Sequence, residues 1–364
     1  MKPSILFIMH MPPPIHGAAM MGKYIHDSKI INDSIDCHYI NLTLAKDLKD
    51  IGKGGIRKLR DFISQLHHIY KVIKKINPKV CYVTPNAKGG AFYKDFIVIM
   101  LLKILKQKIV VHYHNKGVAS RQNIIFDNFL YKLFFKGIKV IILAEQLYPD
   151  IQKYVSPKDV YICPNGIPPK KGNIVPQKHE EFNILFLSNM MKEKGVWDLV
   201  EACRILKKKG TAFNCNFIGK WSDISEGSFL NEIKKLGLEK EVHAFGARYG
   251  DEKNSFFQNA DLFVFPTLNE AFGLVLLEAM EYSIPCITTN EGGTVSIVED
   301  GITGFIVEKN TPQMLAEKID YLIKNPEVCK TMGQAGRKRF MENYTIDKFE
   351  YRMKDILLEI LKSC

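Results

Sequence analysis

LFVFPTLNEAFGLVLLEAMEYSIPCIT, residues 262–288, decides the fold. Leu262–Phe265 is an unbroken apolar run of strand length, and Pro266 ends it. Phe272, Val275, Leu276, Ala279 and Met280 then recur at helical spacing, which predicts a helix from near Ala271. A second short strand follows at Cys286–Thr288. Strand, helix and strand in this order form a βαβ unit, whose strands pair in parallel.

The same alternation runs outward in both directions. Strands are expected at Ile5–Met9, Val80–Thr84, Ile109–His114, Val140–Ala144 and Val160–Cys163, and again at Ile184–Ser188, Asn214–Ile218 and Val242–Phe245. Asp198–Lys209, Phe229–Leu236 and Met314–Lys324 carry helical periodicity between them. An α/β protein with parallel sheets covered on both faces follows. The 364 residues are too many for one simple core. Asn165–His179, rich in Pro, Gly and Lys, is the natural break between two Rossmann-like halves. Ligands of such sheets bind beyond the C-terminal ends of the strands, so a cleft between the halves is the expected site.

Composition narrows the classes. Hydrophobic residues make up 46% and charged residues 25%, as in a globular protein. The eight cysteines are dispersed without a CxxC pair, which argues against zinc or a disulfide framework and fits a reducing cytoplasm. SILFIMHM follows Met1 directly, so no secretory leader is expected. The most apolar tract, Phe96–Leu102, is bounded by Lys94, Asp95, Lys103 and Lys106 and is far short of the roughly 20 residues a membrane span needs. A soluble protein is expected.

The net charge of +12 is lopsided: residues 1–165 hold 25 Lys+Arg against 11 Asp+Glu, while residues 166–364 are close to neutral. An anionic partner for the first half is implied. No nucleic-acid motif is present and the basic residues lack interleaved aromatics, so nucleic acid is not expected and an anionic membrane surface is. Ile51–Ile76 reads as a basic amphipathic helix after a Gly-rich turn. It fits a membrane surface, and it equally fits a helix packing Ile56, Leu59, Phe62, Ile63, Leu66, Ile69 and Val72 on a sheet.

Within the opening stretch, Glu270 sits just before the expected helix and Glu278 two turns in. At 1.5 Å rise per residue they lie about 12 Å apart along the axis. That is too far for a carboxylate pair acting on one bond. It suits two acceptors gripping opposite ends of an elongated, hydroxyl-rich ligand, with an anion held at the helix start between them. Taken alone, the pair also fits a helix-start carboxylate and a solvated helix residue.

Three further segments follow predicted strands. His16–Gly17–Ala18–Ala19 is a small-residue turn opening a helix, where backbone N–H groups can approach a phosphate; the full GxGxxG pattern is missing, against a nicotinamide enzyme. In VVHYHN, alternation puts His112 and His114 on one face, with His114 nearest the strand end. Lys194–Gly195 precedes a helix and would set an ammonium near the same anion as the Glu270 helix start.

Together these segments resemble the retaining GT-B glycosyltransferases grouped as family 4, also called group 1. The resemblance covers nearly the whole chain and is strongest from Asn183 to Val307. It rests on the E-x7-E motif Glu270-AFGLVLL-Glu278, the preceding FVFPT, the following EAM…PCIT and GGTVSIVEDGITGFIV, the early HGA turn, His114 and PNGI. It implies the GT-B fold, two Rossmann-like domains facing each other across a cleft. An acceptor-binding domain would span residues 1–168 and a nucleotide-sugar domain 169–343, with a last helix, 344–364, packing back on the first. Glu278 would bind the ribose and Glu270 a sugar hydroxyl. Backbone groups of Ala271, Phe272, Gly273 and Leu274 would cradle the diphosphate with Lys194 and Gly17, and His114 would approach the reacting carbon. The base would lie near Phe245–Gly246. Ser188–Asn189 stands where the family commonly reads Gly-Arg, so one cation is missing, although Asn189 can donate a hydrogen bond. Val295–Ser296 replaces a common Pro-Glu.

The resemblance implies metal-independent transfer of a hexose, with retention, from a UDP-linked donor to a saccharide or lipid-linked saccharide. The expected setting is surface polysaccharide assembly (capsule, O-antigen or exopolysaccharide) at the inner face of the cytoplasmic membrane. A nucleotide-sugar 2-epimerase of the same fold and an inactive nucleotide-sugar-binding protein are the alternatives.

Overall fold

The computed structural model describes residues 2–13, 17–42, 56–170 and 181–363. His16, the Gly-rich turn at 51–55 and linker residues 171–180 lie outside them. The chain divides into two compact units, Met1–Asn165 with Ile346–Cys364, and Gly166–Thr345.

Unit 1 runs β1 (Ser4–Met9), α1 (Gly17–Asp27), α2 (Lys29–Ser34), β2 (Asp36–Asn41), α3 (Ile56–Ile76), β3 (Val80–Val83), α4 (Gly89–Ile104), β4 (Ile109–His112), α5 (Val118–Arg121), α6 (Ile125–Phe135), β5 (Lys139–Ile142) and β6 (Val160–Ile162). Its strands form a six-stranded parallel sheet in the order β2-β1-β3-β4-β5-β6. The order reverses at β1, so the loops after β1 and β3 flank the switch point; His10 N donates to Thr84 Oγ1 at 3.1 Å across it. Three helical residues of α3 (Phe62, Ile69 and Ile73) are buried, so the helix packs inward, whereas Leu59 and Ile63 of the expected packing face are exposed.

Unit 2 contains β7 (Asn183–Leu187), α7 (Val196–Lys208), β8 (Asn214–Ile218), α8 (Glu226–Lys235), β9 (Val242–Ala244), α9 (Gly250–Gln258), β10 (Leu262–Phe265), α10 (Leu274–Glu281), β11 (Cys286–Thr289), α11 (Thr294–Ile297), β12 (Gly304–Val307), α12 (Pro312–Lys324) and α13 (Pro326–Asn343). The parallel sheet order is β12-β11-β10-β7-β8-β9, the doubly wound arrangement with its switch point between β7 and β10. The described start of the linker is fastened here, where the backbone N–H of Lys170 donates to Glu281.

The last helix, α14 (Ile346–Lys362), belongs to unit 1. Phe349, Met353, Ile356, Leu357, Ile360 and Leu361 join Ile5, Phe7, Met21 and Ile31 in one buried cluster. Its amphipathic periodicity thus serves the unit whose chain began more than three hundred residues earlier.

Two strands escape the sequence reading, β2 and β12, and both are sheet edges. DCHYIN of β2 is half solvated, so its apolar signal is diluted. β12 opens on Gly304, where a Cβ would fall 1.8 Å from the carbonyl oxygen of Cys286. Two boundaries also need correction. β4 ends at His112, so His114 lies beyond the strand. α10 starts at Leu274 and not near Ala271, because Gly273 takes φ 93°, a left-handed conformation that a helix interior excludes. Glu278 is therefore little more than one turn into the helix. Among the described residues no helix is long and apolar enough to cross a membrane. All seven described cysteines are free, and six of them are buried.

Candidate active site

The loops after β7 and β10, at the switch point of unit 2, are tied to one another. Leu268 N and Asn269 N donate to the carbonyl of Glu193 at 2.8 and 3.3 Å, and Asn269 Nδ2 donates to the Glu193 carboxylate at 3.0 Å. Gly195 makes this approach possible, since a Cβ there would fall 1.9 Å from the Pro266 carbonyl oxygen.

At this junction Lys194 Nζ donates to Glu270 Oε2 and to the carbonyl of Asn269, each at 2.9 Å. The other oxygen, Glu270 Oε1, accepts from Ala271 N at 2.9 Å and Phe272 N at 3.3 Å. Glu270 thus closes a turn over its own following peptide groups. The N–H groups of Gly273, Leu274 and Val275, at the start of α10, have no acceptor among the described residues. These open donors, and not those of Ala271 and Phe272, are free to meet an anion.

The Glu270 loop also has a floor. Glu291 accepts from Glu270 N at 3.3 Å and from Lys309 Nζ at 2.7 Å. Gly293 N donates to the Ala271 carbonyl at 2.9 Å, and a Cβ on Gly292 would fall 2.1 Å from the Glu270 carbonyl oxygen. Paired glycines are needed here because two backbones touch.

Glu278, on α10, is held by α9: Lys253 Nζ lies 3.0 Å from both carboxylate oxygens. Around the far strand ends, Ser188 N donates to Ile218 O at 3.0 Å and Gly219 N to Gly246 O at 2.9 Å. Asn189 and Phe245 are exposed, and the Phe245 ring lies 4.9 Å from that of Phe256.

The structure therefore gathers Lys194, Glu270, Ala271, Phe272, Gly273 and Leu274 in one cluster. Ser188, Asn189, Phe245, Gly246 and Glu278 sit on strand ends and a helix of the same unit. Gly17 and His114 belong to unit 1. Gly17 opens α1 and is exposed; His114 is half-buried, its ring centroid 4.1 Å from that of His112. His112 is fully buried, with Nδ1 2.6 Å from the Tyr82 hydroxyl. Burial, with His114 beside it, pushes its pKa well below the ordinary histidine value, so it is neutral. Lys253, Glu193, Glu291 and Lys309 were not legible as site residues. Each is a single charged residue distant in sequence from its partner, and only the paired glycines after Glu291 gave a signal.

Comparison with known proteins bears on the family and the fold. Residues 169–339 match the family model of the group 1 glycosyl transferases. A 167-residue stretch is 34% identical to the capsular polysaccharide biosynthesis glycosyltransferase CapM of Staphylococcus aureus, covering 46% of this chain and 43% of that protein. The chain thus spans less than half the length of that relative. Anabaena HepE, solved in complex with UDP-glucose, superposes with a TM-score of 0.73 at 16% identity, over 98% of this chain and 99% of that one; at that identity it shows the fold, which is GT-B. An uncharacterized glycosyltransferase of Methanocaldococcus jannaschii is 32% identical over 366 aligned positions, 96% of this chain and 97% of its own. A match of that identity along the whole length decides the family: the chain belongs to the group 1 glycosyltransferases.

Proposed function

We propose that this protein is a retaining, metal-independent hexosyltransferase of the family 4 type, using a UDP-linked donor. The acceptor is a saccharide or lipid-linked saccharide at the inner face of the cytoplasmic membrane, in the assembly of a surface polysaccharide. The observation that carries the reading is the Lys194–Glu270 contact beside the open N–H groups of Gly273, Leu274 and Val275, at the switch point of a doubly wound sheet. A cation and a helix start converge there, as a departing diphosphate requires. HepE, of the same fold, was solved with UDP-glucose, and CapM bears the name of a capsule-building enzyme. These support the donor class and the biological setting.

In this reading the acceptor hydroxyl attacks the anomeric carbon on the face from which the phosphate departs. The bond from that carbon to the phosphate oxygen breaks as the new C–O bond forms. The hydroxyl proton passes to the departing phosphate, leaving a glycoside of unchanged configuration and UDP. Lys194 and the helix start stabilise the phosphate, Glu270 holds a sugar hydroxyl, and Glu278 holds the ribose. Ser188, Asn189, Phe245 and Gly246 line the nucleotide end. Gly17 approaches the diphosphate and His114 the reacting carbon, and unit 1 takes the acceptor.

Slow hydrolysis of nucleotide sugars without acceptor tests the reading. Wild-type protein should release UDP from at least one UDP-hexose, and Glu270→Ala and Lys194→Ala should abolish that release. Equal release by all three proteins would sink it, and conversion of the donor to an epimer would replace it with the epimerase reading.

A further inference from the structure

Helix α6, IFDNFLYKLFF, carries apolar residues on its outer side as well as its inner one, with Asn128 and Lys132 on a polar stripe between them, and only the inner side is covered. Leu130, Tyr131, Phe134 and Phe135 are buried, whereas Ile125, Phe126 and Phe129 are 87%, 60% and 57% exposed, with Leu133 exposed beyond them. Positions 125, 126, 129 and 133 lie on one helical face. Helix α4 runs beside it in the same direction. The Tyr93 ring is 6.1 Å from that of Phe126 near one end, and Lys103 Nζ is 2.6 Å from the carbonyls of Leu133 and Lys136 near the other. Ile97 and Ile104 of α4 are exposed as well. Contiguous apolar surface of this kind marks an interaction site.

Charge identifies the occupant. The carboxylates of the two helices, Asp95 and Asp127, are both buried; Asp127 accepts from Arg121 at 2.6 Å and from the Tyr93 hydroxyl at 2.7 Å. Lys106, Lys132 and Lys136 are exposed around the apolar face. Apolar side chains rimmed by cations, with no outward carboxylate on either helix, complement an interface of acyl chains beneath anionic headgroups. A two-fold contact between copies would instead set these lysines against like charges.

We propose that α6 and the flanking stripe of α4 form the surface by which unit 1 docks on an anionic lipid bilayer. The proposal deepens the membrane setting inferred above and supplies it with residues; the binding itself requires no catalysis. It places the docking surface on α6 rather than on α3, which the sequence offered equally as a membrane-surface helix and as a packing helix.

The test is cosedimentation of the full chain with vesicles of phosphatidylcholine alone or mixed with phosphatidylglycerol. Wild type should bind the anionic vesicles at least about tenfold more tightly than the neutral ones. The triple variant Ile125→Ser, Phe126→Ser, Phe129→Ser should lose at least about tenfold of that binding with an unchanged melting temperature, because these side chains already face solvent. Lys132→Glu with Lys136→Glu should erase the preference for anionic lipid. Equal binding to both vesicles, or full binding by the triple variant, overturns the proposal. So does a wild-type dimer that the triple variant converts to monomer. Donor hydrolysis is read in parallel: its absence from all proteins would sink the transferase reading, while the vesicle result alone decides the docking surface.

Discussion

The ammonium of Lys194 lies 2.9 Å from Oε2 of Glu270, joining the loops that follow the two central strands of unit 2. With Oε1 turned onto the N–H groups of Ala271 and Phe272, the carboxylate is an anion already seated among anion-binding groups. A diphosphate arriving there meets competition from the protein itself. Glu270→Gln should therefore bind free UDP about fivefold more tightly, roughly 1 kcal/mol, the size of one charge at a helix start, while turnover of the UDP-sugar falls. Calorimetric titration with UDP checks this, and weaker binding would refute it.

Lys253 fixes the Glu278 carboxylate through both oxygens. Lys253→Met leaves the carboxylate in place but without its guide. The KM for donor should rise about tenfold, equivalent to about 1.4 kcal/mol, with kcat within about twofold because the reacting bond is not touched. Steady-state kinetics separate the two parameters. A fall confined to kcat would show that Glu278 does not act on the nucleotide end.

Gly292 adopts φ 53° and abuts the Glu270 carbonyl. A methyl group there cannot be accommodated without moving the Glu270 loop. Gly292→Ala should cost about 2 kcal/mol or more of unit 2 stability and most of the donor hydrolysis. A variant with wild-type melting and wild-type hydrolysis would mean that the floor beneath the loop is soft.

His112 is buried neutral, its pKa held below the ordinary value by desolvation. The unfolded chain takes up its proton from about pH 6.5 downward, before the folded chain does. Stability in unit 1 should thus fall as pH drops below that value, by up to about 1.4 kcal/mol per pH unit. In His112→Gln the slope should be shallower by that amount. Urea unfolding at a series of pH values measures both slopes, and identical slopes would contradict the assignment.

Phe349 is fully buried in the unit 1 cluster although it follows all of unit 2 in sequence. Phe349→Ala should destabilise unit 1 by about 3–5 kcal/mol and leave the unfolding of Gly166–Thr345 unchanged. Hydrogen exchange resolved along the chain would show which unit is affected.

Interior strands such as Leu262–Phe265 were legible because both their faces are covered, leaving continuous apolar runs. The edges β2 and β12 were not: solvent dilutes the apolar signal of β2, and β12 is short and opens on a glycine. Phe272 falls at helical spacing yet precedes the helix, because periodicity cannot register the left-handed turn at Gly273. Glu270 and Lys194 could be read from their places after strands. Lys253 and Glu291 could not, as their partners are set by helix packing and by a glycine contact. The open apolar face of α6 could not be read either, because only the fold shows which of its apolar residues are covered.

Unit 2 is one continuous stretch, Gly166–Thr345, whereas unit 1 needs residues from both sides of it. A ribosome therefore finishes the second unit before it makes the helix that closes the first. Until α14 emerges, Ile5, Phe7 and Met21 lack part of their cover. During synthesis the earlier-made half has an incomplete interior until α14 is made, and the later-made half is the first to have all its residues. The unit begun first is thus the one completed last.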